Sequence, residues 1–139
     1  ELVKYLCNYK HAYTQLGGSR PFGVSFMYAG YDDVKGYQLY CSDPSGNYGS
    51  WKAHATGRGS VNAISTLKTE YKQDSNLKEA LILAAKVLGK SMDTTTPDAN
   101  KFEIQIITKN EYGHVIQRKV EGEELNKILA DAKVFEDKK

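Results

Sequence analysis

The chain has 139 residues, with 19 basic and 17 acidic side chains, a net charge of +2, 40% hydrophobic residues and 26% charged residues. That is the length of one domain, able to bury roughly two-thirds of its unfolded surface, and the composition excludes the disordered and membrane-spanning classes. The balanced charge gives no electrostatic case for nucleic acid or an anionic membrane as a partner.

No apolar run approaches the roughly 20 residues of a membrane helix, and no charged-then-apolar leader opens the sequence. The two cysteines, Cys7 and Cys41, fall on a predicted helix and a predicted strand, and no glycosylation sequon occurs. They read as reduced, buried small hydrophobes rather than a disulfide, which sets the expectation of a cytosolic or nuclear setting. Ten tyrosines stand against one tryptophan. Tyrosine joins a large apolar face to a polar tip, so it suits surfaces covered by a partner as well as half-buried sheet positions.

In chain order, Leu2, Leu6, Tyr9, Tyr13 and Leu16 recur at helical spacing, and Gly17-Gly18 supplies the stop. A helix at the first residue sets the expectation of a piece of something longer. Pro21 to Tyr31 reads as a strand with no charge on either face, hence one covered on both sides. Asp32 to Gly36 turns it into Tyr37 to Ser42. Asp43-Pro44-Ser45-Gly46-Asn47 turns it again into Tyr48 to Thr56, whose alternation predicts a wet side. Gly57-Arg58-Gly59-Ser60 leads into a helix with Ser60 placed as cap and Ile64, Leu67 and Tyr71 as its buried stripe. Asn76 and Glu79 have capping-box spacing at the start of the next helix. That helix is apolar nearly all round, with Leu77, Leu81, Ala84 and Leu88 on one face, and so is expected to be sandwiched. A loop over 94–100 precedes an alternating run from Phe102 to Lys109, which pairs as a hairpin with Val115 to Val120. Glu121, Glu123 and Glu124 open a last helix with Leu125, Ile128, Leu129, Ala132 and Phe135 as its stripe, and 136–139 is expected to fray. The order of helix, three strands, two helices, two strands and helix gives an α+β class with helices outside one or two sheets.

Little in this pattern carries chemistry. His11, His54 and His114 are scattered, and only Cys7 and His11 share an i, i+4 spacing, which is too few ligands for a metal. Neither a metal nor a cofactor is therefore expected. Gly57-Arg58-Gly59-Ser60 before a helix offers free N–H groups to an anion, yet it lacks the ending of a P-loop and the third glycine of a dinucleotide fold. A structural strand-to-helix turn competes with that reading. No serine has an elbow motif. Tyr13 to Arg20 is either a binding loop or a helix stop.

The segment from Tyr13 to Ala53 goes further. Tyr13-Thr14-Gln15, Gly17-Gly18, Arg20-Pro21-Phe22-Gly23-Val24, Gln38-Leu39-Tyr40 and Ser42-Asp43-Pro44-Ser45-Gly46-Asn47-Tyr48 resemble the signature of α-type subunits of the 20S proteasome core particle. Trp51-Lys52-Ala53 and Lys86 to Asp93 look most like the eukaryotic alpha type 4 branch of that family. The resemblance implies part of an N-terminal-nucleophile-hydrolase-type αββα sandwich, antiparallel sheets between helical layers. Residues 1–139 would form the C-terminal part of a single α-type domain, with the N-terminal strands and first long helix missing.

It also implies a non-catalytic subunit. The β-type relatives use an N-terminal threonine whose own amine acts as base, whereas this sequence starts at Glu1. Ser60, Asp93 and Thr96 would then be remnants of a supporting corner. Expected partners are other α-type and β-type subunits and regulatory caps, in cytoplasm and nucleus, serving ubiquitin-dependent breakdown. Tyr13, Gln15 and Arg20 are the candidate contacts to neighbours or the gate, or else they brace the helix end. Asp43 to Tyr48 is the structural turn. Missing strands would leave bare apolar faces, exposed or filled by association. The rivals are an active hydrolase of the same fold and a small-ligand domain built on Gly57 to Ser60.

Overall fold

The computed structural model describes residues 1–92 and 98–135. These divide into two compact units, Glu1–His54 and the remainder from Ala55 onward. Each is α+β.

The first unit holds α1 (Leu2–Gln15), β1 (Phe26–Asp32), β2 (Gly36–Ser42) and β3 (Tyr48–Trp51). The strands form an antiparallel meander in the order β1-β2-β3, with Phe26 opposite Ser42 and Ser42 opposite Tyr48. Both turns are held by an aspartate. Asp32 Oδ1 accepts from the amides of Val34 and Lys35 at 2.9 and 2.7 Å, and Asp43 does the same for the second turn.

Several sequence expectations shift here. β1 begins at Phe26 and not at Pro21, and β3 ends at Trp51 and not near Thr56. The indole of Trp51 stacks on His54, with ring centroids 4.5 Å apart. Rings three residues apart meet only where the chain bends, so the strand stops there. Helix α1 buries Cys7 and Lys10, while Leu2, Tyr9 and Leu16 are 66%, 53% and 66% exposed. Three residues of the apolar stripe read from the sequence are therefore in solvent, while Leu6 and Tyr13 are half-buried. Nor is β1 covered on both sides, because Met27 and Ala29 are exposed. With Tyr37 and Trp51, which are exposed on the same sheet face, they form an exposed apolar surface.

The second unit holds α2 (Ser60–Glu70), α3 (Leu77–Ser91), a 3₁₀ turn (Ala99–Lys101), β4 (Ile104–Lys109), β5 (Val115–Val120) and α4 (Gly122–Asp131). Its core is Ala85, Phe102, Ile106, Val120, Leu125, Ile128, Leu129, Ala132 and Val134. The hairpin, its Asn110 turn and the stripe of α4 lie where the alternation placed them. Asn76 and Glu79 close their capping box with two bonds of 3.0 Å, the kind of cap that contributes about 1 kcal/mol. Helix α3 packs between α2 and α4, as expected of an all-round apolar helix. It does so with Ala85, Val87 and Gly89 buried, not with Leu77 and Leu88, which are exposed. Ser60 is not a cap: Gly59, at φ 73°, occupies that place and Ser60 is the first helical residue. Tyr71 is likewise exposed at the end of α2 and not in its stripe. Asp93 and Thr96, most of the 94–100 loop and the 136–139 end lie outside the described residues.

Candidate functional site

The first unit has a polar centre. Its fully buried side chains are Cys7, Lys10 and Ser42, the last two 3% and 1% exposed. Lys10 Nζ donates to Val24 O at 2.8 Å, Asp43 O at 3.1 Å and Ser42 Oγ at 3.2 Å. An ammonium has three donors, and each has an acceptor here. The ring of Phe26 lies beneath it, 4.7 Å from Nζ to centroid, and adds a cation–π contact. Ser42 Oγ is also 3.0 Å from the Tyr28 hydroxyl. Burying an ammonium costs several kcal/mol unless its hydrogens are all satisfied, so this network fixes the positions of its acceptors.

A serine beside a lysine and a tyrosine has the makings of a nucleophile with a base. Ser42 is sealed from solvent, however, and the Lys10 ammonium donates two protons to carbonyls and the third to Ser42 Oγ itself, so it offers the serine no free base. The arrangement braces the fold.

The turn from Asp43 to Tyr48 sits directly on α1. Gly46, at φ 88°, comes so close that a Cβ there would stand 2.4 Å from Cys7 O and 2.8 Å from His11 N. Within the turn, Asp43 Oδ1 accepts from Ser45 Oγ at 2.6 Å, Ser45 N at 2.9 Å and Asn47 N at 3.1 Å. The Ser45 hydroxyl first, then the two amides and the charge of Lys10, hold the Asp43 carboxyl below the ordinary aspartate range against an opposing contribution from burial. A depressed folded pKa means that the stabilisation is complete above the unfolded value, about 3.9, and is lost as pH falls through the lower folded value. In an NMR titration the Ser45 and Asn47 amide signals should therefore move with a midpoint below about 3.9, and Asp43→Asn should abolish that step. A midpoint at or above the ordinary value contradicts this account of the turn.

Tyr13 is half-buried, its ring 5.0 Å from that of Phe22 and 5.6 Å from that of Tyr9. Gln15 and Arg20 are exposed nearby in sequence. Lys10 was missed by sequence reasoning. The available signal was a lysine spaced three residues from both Cys7 and Tyr13, a helical neighbour of each.

In the second unit, Arg58, Gly59, Asn62, Thr66, Val87, Lys90 and Ser91 line a cavity of about 400 Å³ at the Gly57 to Ser60 corner. Among the described residues no group of three or more His, Cys, Asp or Glu side chains is placed to hold a metal. No helix of the described residues is long and apolar enough to cross a membrane. Cys7 and Cys41 are both free thiols, and burial pushes that of Cys41 up.

A family model described as proteasome subunit matches residues 1–107. The chain belongs to the proteasome subunit family. A probable proteasome subunit alpha type-3 of Schizosaccharomyces pombe is 45% identical over 130 residues, covering 93% of this chain and 52% of the relative. Proteasome subunit alpha type-4-1 of Oryza sativa subsp. japonica is 47% identical over 133 residues, covering 95% and 53%. Proteasome subunit alpha type-4-A of Arabidopsis thaliana is 55% identical over 104 residues, covering 75% and 42%. The chain thus spans about half the length of the relatives it matches, and its likeness is to the α-type members of the proteasome subunit family. Every element of the polar centre, from Lys10 to Asn47, falls inside the stretch matched by the family model.

Proposed function

We propose that the chain acts as a non-catalytic scaffold: the part of an α-type proteasome subunit that helps close a ring of related subunits, stack it on a β-type ring and restrict the admission of substrates. The observation that carries this reading is the 45% to 55% identity to α-type members. The sealed Ser42 and the fully committed Lys10 support a bracing role for the polar centre. The surplus of tyrosine fits a body with several partly polar contact surfaces. On this reading the partners are other α-type and β-type subunits and regulatory caps, the setting is cytoplasm and nucleus, and the process served is ubiquitin-dependent protein breakdown.

The test uses the full-length natural product of this sequence, tagged and isolated from its own cells. Mass spectrometry should find other α-type and β-type subunits with it, and the subunit freed from them should not cleave fluorogenic peptides. Isolation as a lone monomer, or peptide cleavage that persists in the freed subunit, would overturn the reading.

A further inference from the structure

Helices α2 and α3 pack side by side, and the cavity of about 400 Å³ lies where the first turns of one meet the last turns of the other. Its floor is apolar, made by Ala63 and Val87, which are 8% and 6% exposed. Its rim is polar, with Arg58, Asn62 and Lys90 exposed and Thr66 and Ser91 half-buried. The corner that closes it is held in place. Gly59 adopts φ 73° and lies so near the end of α3 that a Cβ there would stand 3.3 Å from Ser91 Cβ.

Charge and hydrogen-bonding capacity make this rim selective. Arg58 and Lys90 line one concavity, and among the described residues no carboxylate lines it and neither cation forms an ion pair. Glu70, at the far end of α2, is taken by Lys86 at 2.7 Å, with Lys90 a weaker influence on it. Two like charges on the walls of a cleft add their potentials inside it and concentrate anions there. The hydroxyls complete the pattern. Thr66 Oγ1 donates to Asn62 O at 3.0 Å, and Ser91 Oγ donates to Leu88 O at 2.7 Å. A hydroxyl has one proton and two lone pairs, so each has spent its proton on its own helix and accepts from whatever comes next to it.

The rim therefore asks for an anionic group with O–H donors beside it. A guanidinium presents paired N–H groups that match two oxygens of one phosphate, and an ammonium adds a point charge on a flexible stem. The volume suits a small molecule, since such sites run from about 300 to 1,000 Å³. We propose that the cavity between α2 and α3 binds a small phosphorylated ligand that carries hydroxyl groups. Arg58 and Lys90 hold the phosphate, and Thr66 and Ser91 accept from the hydroxyls. This site is additional to the scaffold reading and does not depend on it.

The experiment is a calorimetric titration of the full-length natural product of this sequence with glycerol 3-phosphate, inorganic phosphate, glycerol and citrate. Glycerol 3-phosphate should bind, inorganic phosphate should bind more weakly, and glycerol and citrate should give no saturable heat up to about 10 mM. Arg58→Ala and Lys90→Ala remove exposed side chains and leave the floor in place; each should weaken glycerol 3-phosphate about tenfold. Lys68→Ala removes the same charge from an exposed position of α2 outside the cavity and should leave binding unchanged.

No saturable binding of glycerol 3-phosphate overturns the site. So does a loss in Arg58→Ala and Lys90→Ala no larger than in Lys68→Ala, which marks diffuse attraction by surface charge. Citrate binding as tight as that of glycerol 3-phosphate overturns the choice of phosphate over carboxylate, and equal binding of inorganic phosphate overturns the role of Thr66 and Ser91. None of these results bears on co-isolation with other subunits, by which the scaffold reading is tested.

Discussion

Alanine in place of Gly46 is expected to detach α1 from the sheet and unfold the Glu1–His54 unit. Gly46 has φ 88°, where a Cβ costs about 1–2 kcal/mol by itself. Here the added carbon also meets backbone, at 2.4 Å from Cys7 O and 2.8 Å from His11 N. A helix backbone cannot step aside as a side-chain tip can, and forced overpacking costs about 1–3 kcal/mol more. The sum, about 3 kcal/mol, is a large part of the roughly 5–15 kcal/mol that holds a domain together. Gly18→Ala provides the comparison, because Gly18 has a similar φ of 85° but no atom within 4 Å of the added Cβ. Urea denaturation followed by far-UV circular dichroism should place Gly46→Ala well below Gly18→Ala. Equal midpoints would show that the seat on α1 does not constrain the turn.

Leu129→Ala is the corresponding change in the second unit, with an expected loss of about 3–5 kcal/mol. Leu129 is 1% exposed and lies at the middle of the cluster formed by α3, α4 and the hairpin. The end of α4 has little freedom to collapse into the space left behind. Lys133 adopts φ 52°, Val134 N bonds back to Leu129 O at 3.2 Å, and Val134 rests on Gly89, where a Cβ would come within 2.5 Å of Val134 Cγ1. The same truncation at Val61, 76% exposed on α2, should stay within about 0.5 kcal/mol of wild type. A Leu129→Ala loss as small as that would mean the core is placed elsewhere.

The second unit was the more legible of the two in sequence. The stripe Leu125, Ile128, Leu129 and Ala132 is legible because its apolar period matches one partner surface, and the pairing of Val115 to Val120 is legible because the turn at Asn110 fixes its register. The Asn76 and Glu79 cap was legible because two side chains at fixed spacing satisfy backbone donors whatever surrounds them. Ser60 misled for a related reason: a hydroxyl at a helix start looks like a cap, but Gly59 takes the left-handed place ahead of it.

In the first unit hydrophobicity pointed the wrong way. Lys10 and Ser42 fill the interior, while Leu2, Tyr9 and Leu16 face out. A rule that buries the apolar face of a helix fails when an ammonium finds three acceptors inside. Tyr13, Gln15 and Arg20 are picked out by resemblance to a family, and of their surroundings the structure shows the ring of Tyr13 against that of Phe22. The Trp51 and His54 contact was hidden as well, since alternation carried the strand past it.

That stacked pair has a practical consequence. Trp51 is the only tryptophan of the chain and belongs to the first unit, so intrinsic fluorescence excited at the indole band is emitted from the end of the meander. Loss of the helical cluster would leave that emission unlabelled, and following it calls for a reporter placed there deliberately.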